Sequence, residues 1–203
     1  MACSECIACL GGEGRYDATT ASRPIEAENF FELRGPGLKL DLMDPAIGDD
    51  DAAATGIEAG FGVGGLTLGS ELHYPNIRLP AQQQHQAQKR QGRHGDDEFK
   101  LTLTLHMAAA ATAIVPVADY AVVGRVGAGN GREIGRLVLS NSTSTGSWSR
   151  YRPFELELAV GQEDLDENHK LDLVLCVEAA SDGGGVETSI ELLRLKHFNI
   201  IKG

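Results

Sequence analysis

Apolar and polar side chains alternate along much of the chain with a period of two, the spacing of strands that bury one face. The clearest run covers residues 99–107. There Phe99, Leu101, Leu103, Leu105 and Met107 alternate with Lys100, Thr102, Thr104 and His106. The apolar set is expected inside and the polar set outside, with His106 on the polar face and no special role needed for it. Similar runs predict strands over 38–42, 120–126, 134–139, 154–160, 171–177 and 190–198. Residues 72–80 read as extended because of Pro75 and Pro80. Cys176 falls within one of these strands and reads as a small core residue. Turn signals separate the runs, among them Gly35-Pro36-Gly37, residues 127–131 and the polar loop 140–147. No convincing amphipathic helix and no internal repeat is visible. The fold class predicted is all-β, a two-sheet antiparallel β-sandwich.

Three stretches interrupt that pattern. Residues 81–97 are polar, Gln-rich and aperiodic, which predicts a mobile insertion between two strands. Its Lys89, Arg90 and Arg93 form a local basic cluster, and His85 and His94 are metal-ligand types, although a solvated loop explains them all. Residues 56–69 are glycine-laden, yet the segment after them is extended rather than helical, so a dinucleotide fingerprint fails on context. Residues 1–22 read as a flexible N-terminal leader, leaving 23–203 as a single domain. Cys3, Cys6 and Cys9 in that leader have metal-site spacing, but a closed zinc site needs a fourth ligand. The start has no basic residues and no long apolar region, so no signal peptide is expected. The chain is intracellular if Met1 is the native start, and otherwise an excised segment.

Composition narrows the function classes. The 203 residues suit one domain with a real core, and 42% of them are hydrophobic. The net charge of -11, from 29 acidic against 18 basic side chains, argues against nucleic acid, which needs clustered Lys and Arg. Neutral ligands, cations and basic protein partners remain. No apolar run approaches a membrane span. Catalysis is not expected: no motif pairs two carboxylates for glycosidic hydrolysis, and Ser147 with His197 lacks a nucleophile-elbow context.

The stretch Ile25, Glu26, Ala27, Glu28, Asn29 and Phe30 alternates apolar and acidic positions. As a strand it would place Glu26 and Glu28 on one face, two carboxylates that repel unless a cation lies between them. A hard, oxygen-liganded cation such as calcium fits that need. A solvated edge strand with two surface glutamates is the other reading.

These residues, in order along the chain, resemble a family 6 carbohydrate-binding module, a galactose-binding-like jelly-roll β-sandwich attached to polysaccharide-degrading enzymes. Residues 25–30 resemble its opening strand. Thr145-Gly146-Ser147-Trp148 resembles its Thr-Gly-Gly-Trp loop, and Gly161 begins what resembles the turn after it. Residues 189–195 resemble the closing strand. The resemblance implies a structural calcium held by Glu26, Glu28 and Glu191, joining the first and last strands. It also implies a polysaccharide or oligosaccharide partner, with Trp148 as the loop aromatic platform. Tyr74, Tyr151, Thr188 and Ser189 are the helpers it implies. The family is usually secreted.

The sequence also departs from the family. A second platform aromatic falls on Gly65, the Asp-Trp-x-x-Tyr segment keeps only Tyr74, and the sugar-bonding Asn is replaced by Thr188 or Ser189. Such a one-sided platform implies weak binding, about 4 kcal/mol at millimolar affinity, unless Phe61 turns outward to compensate. The alternative is a module-derived protein–protein interaction or scaffold subunit that has lost its sugar site.

Overall fold

The alternating runs pair as strands. The computed structural model describes Tyr16, Thr145 and residues 24–40, 62–79, 99–109, 120–127, 131–139, 151–180 and 192–202. Within them lie β1 (Ile25–Glu26), β2 (Glu32–Arg34), β3 (Leu38–Leu40), β4 (Gly62–Leu66), β5 (Glu71–Arg78) and β6 (Phe99–Ala108). After these come β7 (Tyr120–Val126), β8 (Glu133–Leu139), β9 (Arg152–Val160), β10 (Lys170–Ala179) and β11 (Leu193–Lys202).

The pairings have a simple logic. β7 pairs with β8, β6 with β9, β5 with β10 and β4 with β11, all antiparallel. The chain is thus one long ribbon doubled back between β7 and β8. The ribbon then wraps on itself, which sets β11 beside β6 and β10 beside β7. Wrapping splits it into a six-stranded sheet, β3-β4-β11-β6-β9 with β1 added on β11, and a five-stranded sheet, β2-β5-β10-β7-β8. That arrangement is a jelly roll, as expected.

The core lies between the sheets. Leu101, Leu103, Leu105 and Met107 of β6 are at most 1% exposed and meet Leu171, Leu173 and Leu175 of β10 in one cluster. Tyr74 of β5 and Phe198 of β11 are fully buried, their rings edge to face with centroids 5.0 Å apart. Each sheet therefore contributes one aromatic to the centre, where burial of a large apolar side chain is worth about 1.5–3 kcal/mol.

Several expectations shift. Residues 25–30 do not form one strand, because β1 ends at Glu26 and Ala27–Asn29 forms a 3-10 turn. The Ala27 carbonyl drives that turn, accepting hydrogen bonds from the Phe30 N–H (3.3 Å) and from the buried Tyr74 hydroxyl (2.8 Å). The last strand starts at Leu193 and reaches Lys202, displaced toward the C-terminus from the predicted 190–198. β4 is hidden in the sequence by its glycines, which have low strand propensity. Gly62 is required there: its φ is 154°, and a Cβ would lie 2.7 Å from the Leu195 carbonyl oxygen of the neighbouring β11. Cys176 is buried, but in a second small cluster with Ala121, Val123 and Val174 rather than between the sheets. Tyr16, inside the expected leader, is anchored. It is buried, packs edge to face on Tyr74, and donates from its hydroxyl to the Asn29 carbonyl at 2.6 Å. The insertion at 81–97 and Cys3, Cys6 and Cys9 lie outside the described residues. Among those residues, no helix is long and apolar enough to cross a membrane.

Candidate functional site

Strand register sets the ends of β8 and β10 and the starts of β9 and β11 at one end of the sandwich. Met107 is opposite Arg152, Ala108 is opposite Arg194, and Tyr120 is opposite both Leu139 and Ala179. The connection from β8 to β9, which carries Trp148, and that from β10 to β11, which carries Thr188 and Ser189, therefore leave the same end. Trp148, Thr188 and Ser189 themselves lie outside the described residues.

The roots of both connections are fastened. Thr145, 2% exposed, donates its N–H to the Ala109 carbonyl at 2.6 Å. Its hydroxyl donates to that same carbonyl at 3.0 Å and accepts from the Ala109 N–H at 3.2 Å. Tyr151, at the start of β9, is buried at the other root of the connection. At the second connection, Leu192 donates its N–H to the Leu66 carbonyl (2.8 Å) and accepts from the Tyr120 hydroxyl (2.9 Å). Burial pushes the Tyr120 hydroxyl far above its usual range, so it stays a donor. Thr145 and Tyr120 are positioning residues that sequence reading does not single out; Thr145 stands in the quoted motif, while Tyr120 carries only a strand pattern.

Tyr74 needs correction. Its ring is packed between Tyr16 and Phe198, and its hydroxyl is held by Ala27, so no face is open to a sugar. The Tyr74 hydroxyl is pushed well above its usual range, first by burial and then by Tyr16 and Glu28. Tyr74 shares the parity of the buried Leu72, ahead of the irregularity at Asn76 (φ 58°), so its expected helper role comes from the resemblance and not from the strand pattern.

An exposed aromatic that sequence reading misses lies just before β2. Phe31 is 56% exposed and stands edge-on to His73, with centroids 5.8 Å apart. Polar groups surround it. His73 Nε2 is 2.5 Å from Asp172 Oδ1, and Arg34 pairs with Glu32 at 2.9 Å, holding that carboxyl below its usual range. The signal is the Phe30-Phe31 pair: Phe30 packs on the core under the Lys39 ammonium, so the next residue turns outward.

The residues implied for calcium are partly in view. Glu26 ends β1, and Glu28 sits in the 3-10 turn, so the two do not share a strand face. Glu28 Oε2 is buried without a hydrogen-bond partner. Glu191 lies outside the described residues. Among those residues, no three His, Cys, Asp or Glu side chains are grouped to hold a metal. The orphaned carboxylate oxygen nonetheless suits a hard cation in chemistry.

No family model and no curated protein matches the sequence. Solved structures match in shape. A family 6 carbohydrate-binding module from Clostridium stercorarium, in complex with cellobiose, aligns with a TM-score of 0.52 at 17% identity. The match covers 94% of this chain and 99% of that one. This chain has the fold of the family 6 carbohydrate-binding modules. A β-1,3-glucan-binding module from Bacillus halodurans gives a TM-score of 0.53 at 13% identity, over 92% and 98% of the two chains. The family 6 module from Clostridium cellulolyticum, in complex with xylose, gives 0.50 at 17% identity, over 90% and 98%. Near-complete coverage in both directions means that the likeness is to whole modules.

Proposed function

We propose that this protein is a non-catalytic carbohydrate-binding domain that takes a polysaccharide or oligosaccharide at the loop end of the sandwich. The reading is carried by the fold's likeness, over nine-tenths of the chain, to modules solved with cellobiose or xylose and to one that binds β-1,3-glucan. Trp148 supplies the stacking platform, presenting its indole to the C–H face of a pyranose. Thr188 and Ser189 supply the polar side, while the buried Tyr151 hydroxyl is out of a sugar's reach. The anchored Thr145 and Tyr151 limit what the platform loop loses in entropy on binding. Phe31 offers a second exposed aromatic, and Asp172, His73, Glu32 and Arg34 stand near it as hydrogen-bonding groups.

A structural calcium belongs to the same reading. Glu26, Glu28 and Glu191 would hold it, and its chemistry there is charge neutralisation between the opening turn and the strand that ends the chain. The orphaned Glu28 oxygen supports this.

Affinity electrophoresis on cellulose derivatives, xylan and β-1,3-glucan tests the sugar reading, with Trp148→Ala and Phe31→Ala beside the intact protein. Retardation lost in Trp148→Ala places the sugar at the loop end, whereas loss only in Phe31→Ala moves it to the five-stranded sheet. An intact protein that none of these polysaccharides retards would sink the reading and leave the protein-interaction alternative.

A further inference from the structure

The outward face of the six-stranded sheet carries a side-chain pair that neither the fold nor the sugar reading uses. His106 of β6 and His197 of β11 are direct cross-strand partners. Their rings lie 4.3 Å apart between centroids, with planes inclined at 32°. Among the described residues neither imidazole makes a hydrogen bond, and both rings are half-buried. Two polar rings tilted against each other in mid-sheet, without a hydrogen-bond partner among the described residues, are an unusual use of half-buried positions.

The charge state suits ligation. Burial, with Lys196 adding to it, lowers the affinity of His106 for protons. His197 is brought down to about 4, by burial first and then by His106 and Lys196. A neutral imidazole, with one free lone pair, is the form that binds metals. Glu26 of β1 is the cross-strand partner of His197 on its other side, so a carboxylate shares their row. Lys196 opposes a cation, while the Glu26 carboxylate is assigned above to calcium and is not counted here.

We propose that His106 and His197 form a two-point nitrogen chelate for a borderline divalent transition cation, with Cu(II) preferred over Ni(II) and Zn(II). Directly opposed residues in an antiparallel pair have Cβ atoms about 4.5–5.5 Å apart, a span that two imidazoles close over one ion by small ring rotations. No third His, Cys, Asp or Glu joins them among the described residues, so water fills the remaining positions. Nitrogen donors select this class of ion over calcium, and the order follows the general affinity series. The site is distinct in chemistry from the proposed calcium site and independent of sugar binding.

The test uses the full chain saturated with calcium, with Cys3, Cys6 and Cys9 changed to Ser so that thiolates do not compete. Cu(II) is added to one equivalent, and its paramagnetic resonance spectrum is expected to show coupling to two imidazole nitrogens. In calorimetry with Ni(II), His106→Gln and His197→Gln should each weaken binding by more than the roughly 10–100-fold that loss of a mere supporting group costs. His85→Gln/His94→Gln should leave it unchanged. A Cu(II) spectrum without two-nitrogen coupling overturns the proposal, and that measurement needs no variant to fold. Equal Ni(II) binding by the His106→Gln/His197→Gln double variant overturns it as well.

Discussion

The two outward faces of the sandwich are built from the same kind of strand and finish in opposite ways. On the five-stranded sheet, Arg125 reaches Glu178 at 2.8 Å and Glu133 at 3.6 Å, while Arg136 reaches Glu133 at 2.7 Å and Glu178 at 3.0 Å. Two cations and two anions close a ring in which each charge has two partners. Beside them on that face is the small apolar layer of Ala121, Val123, Val174 and Cys176, whose thiol is pushed up to about 12 chiefly by burial. The six-stranded sheet has an exposed Lys100–Glu157 pair at 3.3 Å, worth little in water. Its other polar groups include the His106–His197 pair and Asn199, whose Oδ1 is buried without a hydrogen-bond partner. Around the ionic ring the charges of one face neutralise one another, and that face has an unmet polar atom in His73 Nδ1 on β5. The other face has an unmet acceptor and two mutually tilted imidazoles without hydrogen-bond partners among the described residues.

The largest test removes what the faces share. Phe198→Ala should cost about 3–5 kcal/mol in urea unfolding, because it deletes the ring that meets Tyr74 across the core. Amide protection should fall in both sheets together. Loss confined to β11 and its neighbours would show that the sheets are stabilised separately.

Calcium comes next. At a hundredfold excess over its dissociation constant the ion should add about 2.7 kcal/mol, and chelation should lower the melting temperature until calcium is restored. Protection should be lost first along β1 and β11, which separates the six-stranded sheet from its partner. An unchanged melt removes the site.

Thr145→Val probes the loop end that both sheets build. It deprives the buried Ala109 N–H of its acceptor, for about 1–3 kcal/mol. Retention on polysaccharide should weaken with it, because the root of the Trp148 segment is released. Full retention would mean that the sugar lies elsewhere.

The ionic ring should give the smallest effect. A double-mutant cycle with Arg136→Met and Glu178→Gln should return a coupling of about 1 kcal/mol or less, fading in about 1 M salt. The side-chain hydrogen bond from Arg136 holds the Glu133 carboxyl below its usual range, with Arg125 helping and burial opposing. A folded-state value lower than the unfolded one means that the stabilisation is present at neutral pH and lost as pH falls through the folded value. Glu133→Gln should therefore flatten the acid limb of the stability curve. A coupling that survives high salt would show a ring more buried than its partial exposure implies.

Much of the fold is legible from residue order. The runs at 99–107, 120–126, 134–139, 154–160 and 171–177 name their strands because a side chain's face in a strand depends only on its parity. The opening and Trp148-loop motifs point to the right fold for a similar reason: both are short and local. Tyr74 reads as a surface helper only through the resemblance, although it shares the parity of the buried Leu72 and fills the core. Glycine carries no side chain to count, so β4 escapes the pattern. Phe31 escapes it too, because which of two adjacent aromatics faces out depends on the turn that precedes them.

Only the tertiary structure could decide the pairings. That His106 stands opposite His197, 91 positions along the sequence, is a property of how the doubled ribbon wraps. So is the meeting of the ends of β8 and β10 with the starts of β9 and β11 at one end of the sandwich. Sequence determined which residues form strands and which side of each is apolar, because those are local properties of the chain. It left open which strands become neighbours, because contacts between distant segments are set by the closing of the whole sandwich.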